Sequence, residues 1–112
     1  MQNNISKVHK IDHVAINVSN IDRSILWYVN KCSAEVLYRD DSWGLLKVGT
    51  SKLALTLAHE HPPHIAISCS SIDQFPFSHE LIKTHRDGSK YLYTEDLDGN
   101  VIEWIYYPHT NI

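Results

Sequence analysis

DHVAINVSNID, residues 12–22, and PHIAISCSSID, residues 63–73, are the two stretches whose likeness decides the fold. Each carries a His, then alternating small and branched apolar residues, then Ser and Ile-Asp at the same spacing. His64 follows His13 by 51 residues. Self-similarity at such a period signals duplication of one supersecondary unit. Chance likeness of two short amphipathic strands is the competing reading, and a pattern shared over eleven residues tells against it.

Working outward from the first copy, residues 11–18 alternate. Ile11, His13, Ala15 and Asn17 point one way, and Asp12, Val14, Ile16 and Val18 the other, which is the period of a strand. Ser19-Asn20 offers a helix N-cap. In IDRSILWYVNKC, Ile21, Ile25, Leu26 and Val29 form one apolar stripe of an amphipathic helix. The turn signals Asp40-Asp41-Ser42 and Gly49-Thr50 then cut the chain into runs 34–39, 43–48 and 52–58, an antiparallel meander. The first half therefore reads β-α-β-β-β.

Residues 59–63, HEHPP, are a linker, since two prolines exclude a central strand. The order then restarts. HIAISCS is a strand, the following segment is helical from about Pro76, and Asp87-Gly88 is a turn. KYLYTED and NVIEWIYY are strands on either side of Leu97-Asp98-Gly99-Asn100. Between Thr84 and Tyr91 only HRDGSK remains, so the second unit is short. The expected organisation is a polar arm over 1–10, a first module over 11–58, the linker, and a shortened second module over 64–112, within one structural domain.

Bulk properties exclude several classes. Hydrophobic residues are 43% of the 112, enough for a packed core. A net charge of −3 with His neutral gives no basic face, so nucleic acid is not an expected partner. No apolar run approaches a membrane span and MQNNISKVHK has no apolar leader core, so a cytoplasmic protein is expected. Cys32 and Cys69 are in no metal or redox spacing and read as free thiols.

The eight histidines raise the question of metal binding. His13 and His64 occupy equivalent places in the two copies, so duplication brings them to face one another. Glu103 sits in an otherwise apolar strand, where a carboxylate must be paired, metal-bound or turned to solvent. Two imidazoles and a carboxylate suit a divalent transition metal: Fe, Mn, Zn, Ni or Co. Taken singly, each of the three reads more readily as a surface or rim residue than as a ligand. HEHPPH offers a rival cluster of His59, His61 and His64, although prolines fix a loop without aiming imidazoles at one point. Tyr93, ten residues before Glu103 on the neighbouring strand, is either a hydrogen-bond donor to a reacting oxygen or a packing aromatic. His79 and His85 fall on or after the second helix and read as surface residues.

IDHVAINVSNIDRSILWY resembles the opening of vicinal oxygen chelate proteins. DLDGNVIEWI resembles their closing turn and strand, and PHIAISC the start of their second module. That superfamily includes glyoxalase I, extradiol dioxygenases, fosfomycin-resistance transferases, methylmalonyl-CoA epimerase and metal-free bleomycin-binding proteins. The resemblance implies an α+β fold of two βαβββ modules forming a curved mixed sheet around a metal-binding cleft. It implies His13, His64 and Glu103 as ligands, with Tyr93 and Glu103 in catalytic roles, and a homodimer. It implies a metal-dependent enzyme of the glyoxalase or dioxygenase type (a lyase, isomerase or dioxygenase) acting on an oxygenated small molecule. The alternative is a non-catalytic binder whose aromatic cleft holds a flat ligand. The chain departs from the pattern where glyoxalase I and the epimerase place a fourth Glu or Gln ligand. Here Ala54, with Thr56 on the same face, occupies the matching strand, which weighs against glyoxalase I chemistry. The stretch that holds a cation loop in the fosfomycin enzymes is missing, which weighs against a phosphonate substrate.

Overall fold

The computed structural model describes residues 9–76 and 79–108. Most of the expected N-terminal arm, Phe77-Ser78 and the last four residues lie outside them. The fold is mixed α+β. Eight strands are present among the described residues: β1 (Lys10–Asn17), β2 (Glu35–Arg39), β3 (Trp43–Val48), β4 (Ser51–Thr56), β5 (His64–Ser68), β6 (Lys83–Thr84), β7 (Lys90–Glu95) and β8 (Val101–Tyr106). One α-helix is present among the described residues, α1 (Ile21–Cys32). The chain divides into two compact units, one of Asp12–Ile65 and one of Met1–Ile11 with Ala66–Ile112.

In the unit Asp12–Ile65 the strand order is β2-β3-β4-β1. Strand β1 runs parallel to β4, with Ala15 opposite Ala54 and Asn17 opposite Thr56, and β4 is antiparallel to β3. Helix α1 is fixed at both ends. The Asn20 side chain accepts from the Arg23 amide at 2.9 Å, and Ser33 takes the left-handed conformation that closes the C-terminus. Asp22 in the first turn and Lys31 in the last complement the helix dipole. Ile21 and Ile25 bury against Leu46 and Leu55, with Ile16, Tyr28, Val29 and Leu53 around them. The expected stripe needs one correction: Leu26 is 62% exposed. It lies one residue, about 100°, around the helix from Ile25, beyond the edge of the buried face.

Strand β2 carries a register shift between Val36 and Tyr38, and Gly44 on β3 lets the helix approach closely. A Cβ at Gly44 would stand 3.1 Å from Ile25 Cδ1. Arg39 and Asp22 pair across the surface of the unit.

The second unit repeats the wiring, with order β5-β8-β7-β6. In both copies the first strand lies beside the fourth and the chain meanders outward from there. Two expectations are corrected. Beyond the expected strands, the unit has the two-residue β6, paired with β7 through Lys83 and Tyr91. The helix expected from Pro76 is absent from the described residues. The chain instead makes two 3₁₀ turns, Ile72–Gln74 and His79–Leu81. Phe75, just before Pro76, is extended at φ −66°, ψ 137°, as the residue before a proline favours. Its ring is buried with Cys69 and Leu92, packed by Ile82, Trp104 and Tyr106, and so covers the face that α1 covers in the first unit. Burial pushes the Cys69 thiol up to about 11, which leaves it protonated and inert at neutral pH.

No helix among the described residues is long and apolar enough to cross a membrane. Leu55 is fully buried under α1. Leu55→Ala is expected to cost about 2–5 kcal/mol in denaturant unfolding, and a loss below about 1 kcal/mol would show that α1 does not pack there as described.

Candidate functional site

Strand β1 gives one face to the helix side, where Ile16 packs, and so turns His13, Ala15 and Asn17 to the opposite side. That opposite face is also buried. Ala15, Ala54 and Thr56 are each below 5% exposed. Asn17 Nδ2 donates to Thr56 Oγ1 and to the His61 carbonyl, both at 2.9 Å. These bonds tie the start of the linker to the sheet.

Within the same unit, the rings of His13 and His64 lie 5.7 Å apart at 72°. The equivalent histidines of the two copies thus meet edge to face. Each is held through Nδ1. His13 Nδ1 donates to Asp12 Oδ2 at 2.7 Å, and His64 Nδ1 donates to the Pro62 carbonyl at 2.8 Å. A carbonyl or a carboxylate only accepts, so Nδ1 of each ring carries a proton, and in the neutral ring the lone pair is on Nε2. This is the outer-shell arrangement that prepares an imidazole to ligate a metal. Asp12 is itself braced, with Lys52 Nζ 3.5 Å from its other oxygen. The Pro62-Pro63 pair restricts the backbone that presents its carbonyl to His64.

Glu103 belongs to the other unit. In β8, Trp104 and Tyr106 pack on the Phe75 cluster, so Glu103 and Ile105 point the other way. Glu103 is 2% exposed. Tyr93 lies directly opposite it in the β7–β8 register. The hairpin that sets this register closes on Asp96. Its Oδ1 accepts from the amides of Asp98 and Asn100, each at 2.9 Å, and Gly99 supplies φ +85°. The Asn100 side chain, whose Nδ2 donates to Asp96 Oδ2 at 2.9 Å, and then these amides hold the Asp96 carboxyl below its usual range.

The histidine expected at the surface is a correction. His85 is half-buried, and its Nε2 donates to Glu103 Oε2 at 2.7 Å. Its ring stacks on Tyr91 with centroids 3.6 Å apart and planes 9° apart, and Tyr91 meets Tyr93 edge-on. His85 escapes a sequence reading because it directly follows β6, a strand too short to leave a period in the sequence. The signal that could have found it is the turn Asp87-Gly88, which folds HRDGSK back on itself, pairing Thr84 with Lys90 and bonding the His85 amide to the Ser89 carbonyl. The side chain of His79 is outside the described residues.

The HEHPPH rival is weakened by placement. His59 is 73% exposed at its side chain and pairs with Glu60, whereas His64 turns to His13. Strand β4 ends at Thr56, so neither His59 nor Glu60 stands on it as a fourth ligand.

The fold is shared with solved structures that are under 20% identical to the chain. Solved structures similar to the chain include a hypothetical protein, BH1468, from Bacillus halodurans C-125, with a TM-score of 0.76 at 18% identity over 95% of this chain and 99% of that one. Methylmalonyl-CoA epimerase from Mycobacterium tuberculosis gives 0.73 at 17%, over 95% and 92%. The Streptomyces coelicolor methylmalonyl-CoA epimerase in complex with 2-nitronate-propionyl-CoA gives 0.70 at 17%, over 88% and 97%. No family model and no curated protein matches the sequence.

The Tyr93 phenol is raised well above its ordinary range, first by burial, then by the charge of Glu103 and by Tyr91. It therefore stays protonated at neutral pH. In spectrophotometric titration of the metal-free protein, Tyr93→Phe is expected to remove the last phenol to ionise. Glu103→Gln should lower that phenol only part of the way, because burial is the larger cause. Ionisation of Tyr93 together with the exposed tyrosines would contradict its burial.

Proposed function

We propose that His13, His64 and Glu103 together hold one divalent transition metal, and that the protein is a small metal-dependent enzyme acting on an oxygenated small molecule. The observation that carries this reading is the pair of adjacent imidazoles, each with its Nδ1 proton committed to an acceptor, so that the neutral ring would ligate through Nε2. The donor set fits: two neutral nitrogens and one buried carboxylate suit Fe, Mn, Zn, Ni or Co. The ion, when bound, supplies Lewis-acid polarisation of a substrate oxygen.

The chain's own groups supply the rest. Asp12 and the Pro62 carbonyl fix the tautomers. Tyr93 keeps its proton and so acts as a hydrogen-bond donor at Oη rather than as a base. Strand β4 presents Ala54 and Thr56 where the resemblance puts an acidic ligand, and Ala54 is 4% exposed against Ala15. Proton abstraction by a carboxylate on that strand is therefore disfavoured. Polarisation assisted by a phenol donor, as in a dioxygenase or lyase of this fold, is the reading the side chains support. Methylmalonyl-CoA epimerases share the fold, and the missing acidic residue on β4 argues that this chain does a different reaction.

Calorimetric titration with Mn(II), Fe(II), Co(II), Ni(II) and Zn(II) is expected to show about one ion per chain. His64→Ala or Glu103→Gln should weaken binding by more than the roughly 10–100-fold that loss of an outer partner costs. Equal metal content in the wild type and both variants removes the enzyme reading.

We also propose that the chain works as a homodimer. Leu26 and Trp27 on α1 and Val36, Leu37 and Tyr38 on the edge strand β2 are all exposed apolar or aromatic side chains within one unit. An edge strand and helix of this composition favour cover by a second copy. Sedimentation at micromolar concentration should report a dimer that Trp27→Lys dissociates; a wild type that sediments as a single chain overturns the assignment.

A further inference from the structure

We infer that His85 is a positioning residue that fixes how the Glu103 carboxylate is presented to the metal, an inference that rests on the metal reading above. Glu103 is 2% exposed, in a strand whose other residues are almost all apolar. A carboxylate placed there needs a donor for its oxygens, and an unrestrained one would rotate about its terminal torsions. His85 meets both needs. Its Nε2 donates to Oε2 at 2.7 Å, so that oxygen is committed and the plane of the carboxylate is constrained.

The histidine is itself held in three independent ways. Its ring plane is set by the stack on Tyr91, at 3.6 Å and 9°. Its backbone closes a turn at both groups: the His85 amide donates to the Ser89 carbonyl and the His85 carbonyl accepts from the Gly88 amide, each at 2.9 Å. The turn is pinned in its middle by Asp87, whose Oδ1 accepts from the Ser89 amide at 2.8 Å and from Ser89 Oγ at 2.6 Å, while Gly88 takes φ +90°. Burial opposes ionisation of Asp87, but the Ser89 hydrogen bonds outweigh it, and its carboxyl lies below the usual range. Ser89 is 2% exposed, so this brace is interior rather than a surface ornament. A chain of fixed contacts thus runs from the Asp87 turn through His85 to Glu103. It parallels the Asp12 and Pro62 acceptors that orient His13 and His64, but here the outer partner is a donor acting on a carboxylate.

The test uses Co(II), whose visible absorption reports its ligand sphere, on the full chain. Three variants separate the roles. His85→Phe keeps a flat ring for Tyr91 and removes the N–H. His85→Gln keeps a donor at similar reach. His85→Ala removes both. His85→Phe and His85→Ala are expected to weaken Co(II) binding about 10–100-fold and to alter its absorption bands. His85→Gln should recover most of the affinity and the wild-type bands. Thermal melts of the metal-free variants report whether each folds, and the Phe and Gln variants carry the comparison if the Ala variant does not. Wild-type affinity and spectrum in His85→Phe overturn the positioning role and leave the metal reading intact. Equal weakening in the Phe and Gln variants also overturns it, because the N–H would then be irrelevant. A wild-type protein that takes up no Co(II) overturns the metal reading and this inference with it.

Discussion

A carboxylate taken out of water has to be compensated, and the interior of the second unit is arranged around that requirement at Glu103. Strand alternation gives Trp104 and Tyr106 to the Phe75 cluster and leaves Glu103 and Ile105 on the other face. An unpaired charge there would cost several kcal/mol. The Nε2–H of His85 offsets part of that cost, and it is available only because β6, the Asp87 turn and the Tyr91 stack deliver His85 to the spot. Each of those features would be an odd expense for a surface loop. Each makes sense as support for one buried anion.

The two histidines obey a related rule with the opposite sign. An imidazole has two nitrogens and one proton when neutral, so whatever accepts that proton decides which nitrogen can ligate. At His13 the acceptor is the preceding side chain, and at His64 it is the carbonyl two residues back. The two copies of the unit therefore reach the same tautomer by different local means. Such convergence is hard to account for if the rings serve only to pack, since a packing imidazole works with its proton on either nitrogen.

Divergence between the copies is as informative as their likeness. Both place their first strand beside their fourth and meander outward. One copy covers its outer face with a capped twelve-residue helix. The other, interrupted at Phe75-Pro76, covers it with two 3₁₀ turns and a buried phenyl ring. A sheet face needs apolar cover, and these two solutions supply it at different lengths of chain. The same economy shortens β6 to two residues, which leaves HRDGS to form a compact turn instead of a longer loop.

The sequence by itself determined the elements with strong periods and the positions repeated between copies. The βαβββ order of the first half, the hairpin at Asp96–Asn100, the facing of His13 and His64, and the pairing of Tyr93 with Glu103 all follow from local patterns. Alternation and turn chemistry act over a few residues, so they are written in the chain. Tertiary structure decided what depends on neighbours far along it. Leu26 is as apolar as Ile25, and only packing shows that one faces solvent. Pro76 suits a helix start by composition, yet the described residues around it make 3₁₀ turns, with Phe75 buried against Cys69 and Leu92. His85 bonds to a residue 18 positions away, across two strands, and no local period encodes a contact made through space.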